Sequence, residues 1–240
     1  LNPSLEVTSL FINGTTSLYE REKQVIGVPA RLSPGDSLLL ELSYKGQIDE
    51  RICYLNVPDA EIADTRERMY LACRLGKRYS YLRKDFTLLI PEVLWYPTTV
   101  PPENPGSPYD NSRDFTRYSL RVRNYGKNKV ISQGMRMKKG DQLVFRNESP
   151  LPGLTLNIGD YVTRQLIVDS VTYELHVWRK HASLLKLLND RLLPSSVREG
   201  TSARSIIRGA RHVAEISAGN KYPYKRFQLV ETPLDFTSYF

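Results

Sequence analysis

Turn signals break this chain at short intervals, and that spacing restricts it to short, mostly extended elements. Asn13-Gly14, Ser33-Pro34-Gly35-Asp36, Lys45-Gly46-Gln47, Tyr125-Gly126-Lys127-Asn128, Lys138-Lys139-Gly140-Asp141 and Asp169-Ser170 each gather residues that favour reversed or left-handed backbone. The segments between them have strand length and period-two alternation. The clearest is 115–123, where Tyr118, Leu120 and Val122 point one way and Ser119, Arg121 and Arg123 the other. Segment 37–44 alternates likewise, with Leu38, Leu40, Leu42 and Tyr44 on one face. Strands are also expected at 5–12, 129–133, 142–147 and 154–158, and in a hairpin about Asp169-Ser170. With 15 Pro, 14 Gly and 15 Tyr in 240 residues, composition favours a turn-rich β protein over a helical bundle.

The period changes in two places. In 58–75, Ile62, Arg66, Met69, Tyr70 and Cys73 follow helical spacing between Pro58 and Gly76. After Trp178 it changes again. His181, Leu184, Leu185, Leu188 and Leu192 form an apolar face that Pro194 ends. A second amphipathic helix spans about 202–217, with a stripe of Ile206, Ile207, Ala210, Val213 and Ala214. Thr201 or Ser202 caps it and Gly219-Asn220 stops it. A strand at 226–231 follows, stopped by Pro233. The expectation is a mainly β fold: a curved β-sandwich or saddle-like sheet domain over 1–178, then a small α+β segment over 179–240. Segment 98–113, rich in proline, reads as an irregular loop.

One stretch combines apolar density with an isolated carboxylate. Residues 85–97 read D-F-T-L-L-I-P-E-V-L-W-Y-P. The run 86–90 suits a strand buried on both faces, and Pro91 should end it because proline cannot donate to a ladder. Glu92 then stands among Val93, Leu94, Trp95 and Tyr96, where a carboxylate costs free energy unless something binds it. It either points to solvent or caps a turn, or it is held at a cleft to meet a cation.

Other chemistry is sparse. The net charge is +8, from 34 Lys and Arg against 26 Asp and Glu, but no basic run exceeds two residues, so nucleic acid is not an expected partner. Cys53 and Cys73 have no metal-site spacing; they read as buried thiols, or as one disulfide if the chain is exported. His176, His181 and His212 have no zinc-binding spacing and read as structural. Nucleophile-elbow, phosphate-loop and dinucleotide-binding motifs are absent. Asn13-Gly14-Thr15 is a formal glycosylation triplet. No apolar run reaches the roughly 20 residues that span a bilayer. Beginning at Leu1 and ending on aromatic-rich 236–240, the chain reads as part of a longer protein.

Three stretches, taken in order, resemble one family. They are 86–97 (F-T-L-L-I-P-E-V-L-W-Y-P), 153–161 (G-L-T-L-N-I-G-D-Y) and 220–233 (N-K-Y-P-Y-K-R-F-Q-L-V-E-T-P). Together they look like the aminopeptidase-N-like zinc metallopeptidases (gluzincins), especially a bacterial branch fused to membrane segments of the ABC transporter permease type. The resemblance implies a curved β domain followed by a thermolysin-like catalytic domain that opens with a helix and a Tyr-Pro…Leu-Val-x-x-Pro strand. It places the zinc ligands and general base downstream of that strand, so zinc is expected only there. The chain as given is expected to carry no cofactor, catalytic residue or metal ligand, and to be no enzyme by itself. The family's Gly-Ala-Met-Glu-Asn motif follows the same strand; 234–240, L-D-F-T-S-Y-F, departs from it. The family's leading domain supplies a glutamine or glutamate at a strand end to bind the substrate's α-amino group, and Glu92 is the position most like it.

The implied partners are the parent's own catalytic and membrane domains and a peptide substrate. The implied setting is a soluble, extracytoplasmic domain of a membrane protein. An alternative drawn from the residues is an extracytoplasmic carbohydrate- or protein-binding module, with Trp95, Tyr96, Tyr109 and Tyr118 lining a sugar site.

Overall fold

The computed structural model describes residues 1–48, 81–99, 114–147, 149–188 and 202–232. The fold is mainly β, 43 % strand against 14 % helix, as the turn spacing requires. The expected helix at 58–75, Cys53, Cys73, the proline-rich 100–113, Leu192 and 233–240 lie outside the described residues.

The chain divides into two compact units. The first takes Leu1–Tyr125 and Val130–Ile158; the second takes Gly126–Lys129 and Gly159–Phe236. The hairpin about Asp169-Ser170 falls within the second unit. The physical reason is strand pairing, since it forms its ladder with the strand near 228.

In the first unit, β1 (Glu6–Ile12) lies between β2 (Thr15–Thr16) and β5 (Leu40–Lys45). β1 and β5 run antiparallel with Leu10 opposite Leu42, and a bulge lies between Val7 and Ser9. A small hairpin joins β3 (Glu20–Glu22) to β4 (Val25–Gly27). β6 (Tyr81–Leu82), β7 (Phe86–Leu89), β12 (Leu156–Gly159) and β9 (Lys129–Ser132) form a four-stranded sheet in the order β6-β7-β12-β9. β10 (Met135–Lys139), β11 (Gln142–Arg146) and β8 (Ser119–Val122) form another, in the order β10-β11-β8. These last two sheets share one core. Leu89, Val130 and Leu156 from the first meet Val122, Leu143 and Phe145 from the second. A smaller cluster of Leu1, Leu5 and Val7 sits under Leu42 and Tyr44.

In the second unit, β13 (Tyr161–Val168) and β14 (Val171–Trp178) form the expected hairpin. Asp169 and Ser170 both take positive φ, 46° and 68°, the backbone twist that suits a two-residue hairpin loop. Residues Arg179–Leu188 wind as 3-10 turns rather than the α-helix expected there. Helix α1 (Ala203–Ala218) starts where Ser202 Oγ accepts from the Ser205 amide at 3.1 Å and ends at Gly219, φ 67°. The chain returns as β15 (Arg226–Val230), parallel to β14. Asp169, at the hairpin tip, accepts from Arg208 and Arg211 of α1, which ties the helix to the turn.

Candidate functional site

Glu92 lies in the middle of a backbone turn that is fixed from two sides. β7 behaves as its composition demands: Phe86, Leu88 and Leu89 are buried, and Ile90 beyond it as well. Pro91 ends the strand and opens one 3-10 turn, Pro91–Val93, with Ile90 extended before it and Leu94 left-handed after it (φ 57°, ψ 39°). The turn closes through the Leu94 amide, which donates to Pro91 O at 2.9 Å. Val93 is fully buried at 0 % exposure, which anchors the turn by burial as well as by hydrogen bonds.

On one side stands Asn2, also fully buried. Its backbone amide donates to Leu94 O at 2.8 Å and its side-chain Nδ2 to Val93 O at 2.9 Å. Its Oδ1 in turn accepts from the Ser4 amide (3.1 Å) and the Ser4 hydroxyl (2.6 Å). These bonds cap carbonyls that a lone turn would leave unmade. On the other side stands Leu154. Its amide donates to the Tyr96 hydroxyl at 2.9 Å, and its carbonyl accepts from Trp95 Nε1 at 3.3 Å. Tyr44 donates to Trp95 O at 3.0 Å. Gly153 is required here: a Cβ on it would stand 2.5 Å from Pro91 Cγ. The first two of the three stretches singled out in the sequence thus meet in space. The structure describes the backbone of Glu92 and not its side chain.

Trp95, Tyr96 and Tyr118 meet edge to face, at centroid separations of 4.9 and 5.8 Å. Trp95 packs against the shared core. Trp95 and Tyr96 spend their polar atoms inside the protein, and all three residues are half-buried; Tyr109 lies outside the described residues.

A second polar cluster, which sequence reasoning missed, occupies one face of the β13-β14-β15 sheet. Glu174 and His176 of β14 are 3 % and 4 % exposed. Glu174 lies across from Gln165 of β13 and Gln228 of β15. Arg226 Nε donates to Glu174 Oε2 at 2.9 Å, Gln228 Nε2 donates to the same oxygen at 3.0 Å, and Gln165 donates to Oε1. Burial pushes the Glu174 carboxyl up, but these donors, led by Arg226, outweigh it and hold the group below its usual range. His176 meets Thr163 Oγ1 through Nδ1 at 2.8 Å, and Lys129 Nζ donates to that same hydroxyl. Burial, helped by the charges of Lys129 and Arg226 and opposed by Glu174, brings His176 down to about 4 from 6.5. The imidazole is therefore neutral at pH 7 beside a buried ion pair.

At the far end of β15, Glu231 accepts from the Trp178 amide at 2.8 Å and bonds His181 Nδ1. Its carbonyl accepts from the Tyr161 hydroxyl at 3.0 Å, and burial raises that phenol. His181 stacks on Trp178 with ring planes 13° apart. His212 is exposed on α1. Thus His176 and His181 are tied into local networks. Among the described residues no three His, Cys, Asp or Glu side chains converge to hold a metal ion.

The architecture, two compact β-rich units with a parallel strand returned after a helix, is the fold found in M1-class zinc metallopeptidases. The M1 zinc metallopeptidase of Deinococcus radiodurans matches with a TM-score of 0.62 at 15 % identity, over 97 % of this chain and 48 % of its own. Legionella pneumophila aminopeptidase A, solved with aspartic acid, matches with a TM-score of 0.55 at 10 % identity, over 95 % of this chain and 23 % of its own. Native yeast LTA4 hydrolase gives 0.55 at 11 % identity, over 95 % and 31 %. The chain therefore spans about half the length of the Deinococcus protein. No protein-family model and no curated protein matches the sequence. What is shared at these identities is the fold.

Proposed function

We propose that this chain is the non-catalytic β domain, with the opening strands of a catalytic-type domain, of an aminopeptidase-like zinc metallopeptidase. In this reading it shapes the peptide-binding cleft, and Glu92 meets the α-amino group of the substrate. The parent is a bacterial protein tethered to the membrane by transporter-type segments, with this domain on the extracytoplasmic side. Zinc and the general base belong to the domain downstream.

The observation that carries the reading is coverage. The match to the Deinococcus metallopeptidase runs through 97 % of the chain and takes in both compact units. The clamped turn supports the role of Glu92, because a carboxylate that anchors an amine must be held in place before the substrate arrives. Among the described residues no helix is long and apolar enough to cross a membrane. The tethering part of the proposal thus rests on the resemblance of the sequence alone.

Two measurements test it. Titrated with Zn²⁺, the 240-residue chain should take up no stoichiometric metal and release no nitroaniline from alanyl-p-nitroanilide; bound zinc together with hydrolysis overturns the reading. In a longer form of the protein that does hydrolyse this substrate, Glu92→Ala should lower kcat/KM about a hundredfold, the loss expected when an ionic partner is removed. Its zinc content should be unchanged. An unchanged kcat/KM would remove Glu92 from the cleft.

A further inference from the structure

The sequence distributes its cations in short runs, but the fold collects them. Between Arg117 and Arg146 stand nine Lys and Arg against one acid, Asp141, so this segment carries a charge equal to the net +8 of the whole chain. The sheet β10-β11-β8 is built from it. Its register runs Met135–Arg146–Ser119 in one row and Met137–Val144–Arg121 in the next. Lys139 pairs with Gln142 in the row beyond. Arg146, Arg121 and Lys139 therefore share the face opposite the buried Leu143 and Phe145, and Arg123 follows Arg121 by two residues on the same side.

All four are exposed, around a buried Val144; Arg136 and Lys138 of β10 are exposed too, but they pair with Phe145 and Leu143 and so lie on the other side of the sheet. Among the described residues, the ion pairs formed elsewhere do not include any of these six side chains. Edge protection accounts for cations on β10, since charge on an edge strand blocks edge-to-edge pairing. It covers Arg121 on β8, the other edge, as well, but it does not account for Arg146 on the central strand. An ordinary solvated face intersperses both signs; among the described residues the paired rows of this face hold cations and no acid.

We propose that the outer face of the β10-β11-β8 sheet docks on an anionic lipid bilayer. Charge complementarity gives the sign of the partner. The apolar side chains on the face decide its kind: Met135 is 55 % exposed among the cations, with Met137 two residues on. A thioether between cations suits the boundary of headgroups and acyl chains. A single-strand nucleic-acid surface calls instead for aromatic rings on which bases stack, and no row of this face contains one. The proposal does not depend on the peptidase reading.

The test is co-sedimentation of the 240-residue chain with vesicles of phosphatidylcholine alone and with about 30 mol % phosphatidylserine, at low and high salt, beside a fluorescent single-stranded oligonucleotide. Binding should require phosphatidylserine and fall with salt. Each cation near such a surface strengthens partitioning about fivefold, so R121E/R146E should weaken it at least about a hundredfold. K45E/K225E changes the net charge equally at exposed positions elsewhere and should weaken it far less. R123E/K139E provides a second pair on the same face should the first fail to fold, as read by circular dichroism. Equal binding to both vesicle types, equal losses for the control and the face variants, no vesicle binding, or tighter binding to the oligonucleotide would each overturn the proposal.

Discussion

Lowering the pH from 7 to 4 should loosen the β13-β14-β15 sheet, and His176 sets the size of the effect. Its imidazole is 4 % exposed and its folded value is about 4, against 6.5 for the free side chain. Between those values the unfolded chain binds a proton that the folded chain does not, so stability falls as the pH falls. The full difference corresponds to about 3 kcal/mol, with about 2 kcal/mol lost by pH 5 and most of the rest by pH 4. Glu174 acts in the same direction over a lower window. Its folded value is depressed, so its contribution is complete above 4.5 and is lost as the pH drops below that. Between pH 6.5 and 5 the loss is therefore carried by the histidine.

The groups facing His176 make the effect specific. Lys129 and Arg226 disfavour a third positive charge, and Glu174 favours it but is already engaged by three donors. Hydrogen exchange read by mass spectrometry on peptides spanning β13 to β15, corrected for intrinsic rates, reports the opening free energy of this sheet. Protection in the wild-type chain should drop between pH 6.5 and 5 by the factor that about 1.6 kcal/mol implies, roughly fifteenfold. In His176→Gln the same interval should show almost none of that drop. An equal drop in the variant, or a flat profile in the wild type, would refute the buried-neutral assignment.

Two further substitutions probe the packing. Gly153→Ala places a methyl group 2.5 Å from Pro91 Cγ and should cost about 1–3 kcal/mol in urea denaturation, with Trp95 fluorescence shifted as the turn is pushed aside. A stability within about 0.5 kcal/mol of wild type would mean the turn yields freely. Arg226→Met leaves Glu174 buried with its strongest donor gone and should cost about 3 kcal/mol, whereas the double variant with Glu174→Met should recover much of it. A double variant as unstable as the single one would show that the loss comes from Arg226 packing and not from the stranded carboxylate.

Local signals made much of the fold legible. Alternation and turn chemistry placed the strands near 5–12, 86–90, 129–133 and 142–147, and the two-residue hairpin about Asp169-Ser170. The capping serine and terminal glycine bracketed α1. The misses share a cause. β10, Met-Arg-Met-Lys-Lys, alternates two thioethers with cations and ran into a turn signal, so its strand character rests on pairing with β11. The β3-β4 hairpin is two three-residue strands, too short for a period to show. The parallel partner of Tyr161–Trp178 could not be read locally, because that segment looks like any other hairpin and Arg226–Val230 lies some fifty residues on.

The two polar sites show why a period alone cannot find function. Thr172-x-Glu174-x-His176 is a regular polar face, and a polar face in one strand normally means water. Here Gln165 and Arg226 arrive from strands on either side, and the same pattern encloses a buried ion pair. Arg121 and Arg146 present the converse. Each belongs to its own short alternation, and neither segment holds a long basic run, yet antiparallel pairing sets their rows side by side. Glu92 stands between these cases. Its neighbours in sequence made it conspicuous, and what gives it a fixed place is a clamp drawn from Asn2 and Leu154, some ninety and sixty residues away. A turn tied down from both directions keeps its geometry with or without a ligand. Such a turn serves better as a substrate anchor than as a hinge, and that is the physical ground of the recognition role proposed for Glu92.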